Sequence, residues 1–117
     1  MKRDMDLLRL ILLETENKGQ VDLSAYTIEQ INYHKALLID AHLLDGKLHY
    51  SSTVKSKIPD NVIINKLTWE GHEFLDKARN NTIWEKAKKL TIEKGLPFSI
   101  DILKSFMQIA INQIMSK

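Results

Sequence analysis

Cysteine is missing from all 117 positions of the chain. Its absence excludes disulfides, thiolate zinc sites and cysteine nucleophiles, and it fits a reducing compartment. A surplus of one charge is also missing. Seventeen Lys and Arg stand against fifteen Asp and Glu, a formal net charge of +2, too small a field to imply a nucleic-acid partner from bulk electrostatics. No long hydrophobic run occurs. The stretch from Leu7 to Leu13 is interrupted by Arg9 and ended by Glu14, so it is too short to span a membrane, and no small-residue cleavage site marks it as a secretory signal. Glycine is sparse and scattered. Gly19, Gly46, Gly71 and Gly95 each suit a stop, a turn or a packing site, and no Gly-rich phosphate loop can be assembled from them. Repeats and low-complexity segments are absent. These absences point to a cytoplasmic protein with no cofactor and no membrane partner. A chain this short buries a modest fraction of its surface, so burial against a partner or a second copy would matter.

What is present is helical patterning around a short β-ribbon. Asp4 is placed to cap a helix from about Met5 to Asn17, with Asp6 favourable at the positive end of its dipole. That helix is apolar around most of its circumference, which calls for cover on more than one side. Val21 and Leu23 alternate with polar neighbours and suggest a brief edge strand. Thr27 caps a second helix from Ile28 to about Ala41. Its apolar stripe is Ile31, Leu38 and Ala41, and its outward face is Glu29, Asn32, Ala36 and Asp40. His42 stands where that helix must end, and histidine tolerates the left-handed region better than most residues. Gly46 to Ser52 and Val62 to Asn65 read as two strands, joined by a polar loop that holds Pro59. Thr68 caps the next helix, whose inner face is Gly71, Phe74, Leu75 and Ala78, with Gly71 suited to close approach. Thr82 and Glu85 form a capping-box pattern for a fourth helix, which Gly95, Leu96 and Pro97 end. Ser99 caps a last helix running to about Met115. The expected class is mainly α (α+β). Residues 1–80 form a winged-helix-like domain with a β-hairpin wing, and residues 81–117 a two-helix extension that packs on it or forms a dimer interface.

Three blocks carry a resemblance: MKRDMDLLRLILLE at the start, YHKALLIDAHLL in the middle, and LTWEGHEFLDKARNNTIWEKAK, the most specific, after the ribbon. Together they span Met1 to about Lys88 and resemble a family of small bacterial and phage-associated proteins, domain-of-unknown-function family 2513. The resemblance implies a winged-helix-like N-terminal part and a prophage or bacterial cytoplasmic setting. It implies no activity and no catalytic residues. The chain departs from the wider winged-helix pattern in two ways. The span Lys18 to Tyr26 leaves little room for the helix that braces a recognition helix, and His42 stands where glycine is common.

Candidate sites are few. A base-reading helix presents Arg, Lys, Asn or Gln, yet Thr27 to Asp45 holds only Lys35 against Glu29, Asp40 and Asp45, a formal −2. From Gly46 to Lys66 the balance reverses: Lys47, Lys55, Lys57 and Lys66 face Asp60, a formal +3. A basic wing of that kind could track a phosphate backbone, but the simpler reading, favoured here, is a loop kept soluble by lysine, which also discourages edge pairing. His34, His42, His49 and His72 include no i, i+4 pair, and Asp76 occupies the position where a zinc-protease helix would carry its second histidine. Ser51, Ser52 and Thr53 have no base and acid nearby in sequence. No metal site and no catalytic site is therefore expected, and the chain is read as a non-enzyme. Trp69 and Trp84 are read as packing residues. The last helix has an apolar arc wider than one contact needs, which nominates Leu103, Phe106, Met107, Ala110 and Ile114 as a dimer or partner interface. The leading expectation is a protein-interaction or assembly module. A dimeric DNA-binding regulator that uses the basic wing is the alternative.

Overall fold

A computed structural model describes residues 1–17, 19–51 and 58–116. Along these the order is α1 (Met5–Asn17), α2 (Ile28–Asp40), β1 (Leu44–His49), β2 (Asn61–Leu67), α3 (Trp69–Ala78), α4 (Asn81–Glu93) and α5 (Ile100–Met115). The architecture is mainly helical, with one two-stranded antiparallel sheet, as the patterning indicates. The chain divides into two compact units, Met1–His72 and Glu73–Lys117.

In the first unit α1 begins where Asp4 accepts the Leu7 amide on its carboxylate at 3.2 Å. Met5, Leu7, Leu8, Ile11 and Leu12 are buried, and both α2 and β2 pack against this helix. Two-sided cover is the physical reason that an almost wholly apolar helix is stable here. The expected edge strand at Val21–Leu23 does not form. Residues 19–27 hold only turns and bends, so among the described residues no bracing helix precedes α2 either.

Helix α2 opens with a reciprocal capping box. The Thr27 hydroxyl accepts the Gln30 amide at 3.1 Å, and the Gln30 side chain accepts the Thr27 amide at 2.8 Å. Its burial corrects the expected faces. Asn32 and Ala36, assigned outward, are each only 8% exposed, while Ala41, assigned inward, is exposed. The cause is that α1, β1 and β2 all pack on α2, so more than one flank is covered. Asn32 is tolerated inside because its amide donates to the Asp60 carbonyl at 3.2 Å.

The end of α2 is a Schellman turn. Leu43 N–H bonds the Leu38 carbonyl at 2.9 Å and His42 N–H the Ile39 carbonyl at 3.0 Å. His42 carries the left-handed geometry this requires, with φ of 63°. From there β1 pairs with β2 in the register Leu44↔Leu67, Asp45↔Lys66, Gly46↔Ile64, Lys47↔Ile63, Leu48↔Val62 and His49↔Asn61. Asn65 is the extra residue of a bulge opposite the Asp45–Gly46 step.

The second unit has its own core. Phe74, Leu75 and Ala78 of α3 are buried, as are Trp84, Ala87 and Thr91 of α4 and Leu103, Met107 and Ala110 of α5. Phe74 and Trp84 meet edge to face, with ring centres 6.2 Å apart. Helix α4 is capped by Asn80, whose side chain accepts the Ile83 amide at 3.0 Å. Thr82, the expected cap, lies inside the helix. Ser99 caps α5 through the Ile102 amide at 3.1 Å, and α4 packs along α5.

Candidate interaction surface

The β-ribbon and the turn into α3 make the best-defined feature of the first unit's surface. Leu44, Val62 and Leu67 are buried on the inner face of the ribbon. Asp45, Lys47, His49, Asn61, Ile63, Asn65 and Lys66 are exposed. Two of the four lysines assigned to a basic wing therefore lie in the open. Lys47 stands opposite Ile63 and Lys66 opposite Asp45, and neither makes an ion pair among the described residues. Asp45 instead accepts the Asn65 amide at 3.2 Å. Lys55 and Lys57 lie outside the described residues, as do Ser52 and Thr53.

Where β2 hands over to α3, three polar contacts converge. The Thr68 hydroxyl donates to the His42 carbonyl at 2.6 Å and accepts the Gly71 amide at 3.0 Å. The Thr68 amide donates to the Leu43 carbonyl at 3.2 Å. That same Leu43 carbonyl lies against Gly71, where a Cβ would collide with it. The Leu-Thr-x-x-Gly spacing thus has a mechanical meaning. Thr68 caps α3 while gripping the His42 turn, and Gly71 lets the helix rest on the backbone of that turn. Between them Trp69 projects into solvent, 75% exposed. Packing was the expectation for both tryptophans. Trp84 meets it with no exposure and Trp69 does not. The signal was available, because Gly71, Phe74, Leu75 and Ala78 define the inner stripe by i, i+3, i+4, i+7 spacing, and position 69 falls on the opposite side of that helix.

The histidines divide into one buried and three exposed. His34 is almost fully buried, with Nε2 accepting the Asp4 amide at 2.8 Å. The proton therefore sits on Nδ1, which donates to the Gln30 carbonyl at 2.7 Å. Nε2 thus ties α2 to the residue that caps α1, while Nδ1 holds the ring against the preceding turn of α2 itself. Nearby, the Tyr26 hydroxyl is pushed above its ordinary pKa, first by burial, then by the carboxylates of Asp4 and Asp6 and a hydrogen bond to Asp4. Asp22 is held below the usual carboxylate range by hydrogen bonds from the Ser24 side chain and backbone. His42, His49 and His72 are exposed. Among the described residues no group of three or more His, Cys, Asp or Glu side chains is arranged to hold a metal ion.

In the second unit, the depression bordered by Glu85, Lys86, Lys89, Leu90 and Glu93 is lined by α4 alone. It is the solvated side of a single helix, with no converging groups from elsewhere. Of the five α5 residues nominated for an interface, Leu103, Met107 and Ala110 are fully buried within the chain and Phe106 is half-buried. Ile114 continues the same stripe one turn further and is 49% exposed. Apolar surface left open on this unit comes from Ile92, Leu96, Ile109, Ile114 and Met115. No helix of the described residues is long and apolar enough to cross a membrane.

Comparison with known proteins adds a lineage. The model of a family described as "Hypothetical protein (DUF2513)" matches residues 2–97. A protein of Haemophilus influenzae titled "Uncharacterized protein" is 35% identical over 123 residues, covering 99% of this chain and 100% of the relative. No solved structure matches.

Proposed function

The chain belongs to the family described as Hypothetical protein (DUF2513), and we propose that it works as a non-enzymatic protein-interaction module. The observation that carries this reading is Trp69. Its side chain is 75% exposed, while its backbone is held by Thr68 and Gly71 against the His42 turn. Leaving that much indole in water forgoes about 3 kcal/mol of burial free energy. A partner with an apolar pocket would recover it at little ordering cost, because the helix start is already fixed. In this reading the first unit is winged-helix-like, the setting is a prophage or bacterial cytoplasm, and any self-association of α5 uses Phe106, Ile114 and their exposed neighbours. The test is co-purification of partners from cells expressing the chain at native level, comparing the wild type with Trp69→Ala. A specific partner should be lost in the variant while the fold is retained. Equal recovery in both would remove Trp69 from the account.

The second reading, DNA binding through the ribbon, is favoured by Lys47 and Lys66, which are exposed and unpaired among the described residues. Against it stands α2, whose Asn32 amide is committed to Asp60 and whose Ala36 is buried. That helix offers little to a major groove. A mobility shift on generic duplex at low salt separates the two readings. The interaction-module reading expects no shift. The DNA reading expects a shift that weakens at least tenfold when Lys47 and Lys66 are both replaced by Glu.

A further inference from the structure

No further inference is drawn: the strongest candidate, the exposed corner where Trp69 at the head of α3 lies beside the His42 turn at the end of α2, belongs to the surface already described, and nothing in the structure shows what partner chemistry covers it.

Discussion

Thr68 holds three backbone groups at once, and its chemistry can be separated from its shape. Thr68→Val keeps the volume but leaves the His42 carbonyl and the Gly71 amide without their hydroxyl partner. A loss of about 1–2 kcal/mol is expected in urea denaturation. Gly71→Ala drives a methyl into the Leu43 carbonyl, a backbone obstacle that no rotamer change relieves, so the loss should be larger, about 3 kcal/mol. His42 supports a prediction of opposite sign. At φ of 63° a non-glycine residue is strained by about 1–2 kcal/mol, whereas glycine costs about 0.5–1 kcal/mol in chain entropy. His42→Gly should therefore stabilise the protein by roughly 0.5 kcal/mol, measured as a shift of the urea midpoint. At this scale the sequence was readable in part. The Thr68 cap and the close approach at Gly71 follow from residue type and spacing. What they approach does not, because Leu43 is distant in sequence and its carbonyl leaves no mark in the pattern. The asymmetry between Trp69 and Trp84 was readable from spacing but was masked by the general tendency of tryptophan to pack.

At the scale of elements, periodicity located all five helices among the described residues but misassigned one face and one cap. Hydrophobicity alone does not mark Asn32 of α2 as buried, because its burial depends on the hydrogen bond to the Asp60 carbonyl and on cover of the helix from more than one side. Thr82 has the sequence pattern of a cap for α4, with a glutamate three residues later. Asn80, at least as good a cap and two residues earlier, takes the role. The consequence is measurable: Asn80→Ala should lower stability by about 1 kcal/mol and Thr82→Ala by less than about 0.5 kcal/mol. Equal losses would mean that the helix starts later than described. The strand expected at Val21–Leu23 failed for a related reason. Two alternating apolar residues are too short a signal, and nothing in residues 19–27 pairs with the ribbon.

At the scale of the whole molecule, the class and the family were legible and the role was not. Three blocks of sequence suffice to indicate the family, and the matched span of residues 2–97 takes in all of them but Met1. A role needs either a constellation of reactive groups or a surface complementary to something known. His34, the buried histidine among the described residues, ties the start of α1 to α2, and Leu103, Met107 and Ala110 fill the core of the second unit. The exposed surface offers the lysines of the ribbon and several apolar side chains, of which Trp69, 75% exposed, is the bulkiest. Being exposed, it should be dispensable for folding, so Trp69→Ala is expected to change stability by less than about 0.5 kcal/mol. The most direct test is site-specific photo-crosslinking in cells, with a photoreactive residue at position 69 and a control at Lys89 on the exposed side of α4. A discrete adduct with another protein at position 69, and none at position 89, is the predicted result. No adduct at 69, or the same diffuse pattern at both positions, would contradict the claim that this tryptophan is the anchor for a partner.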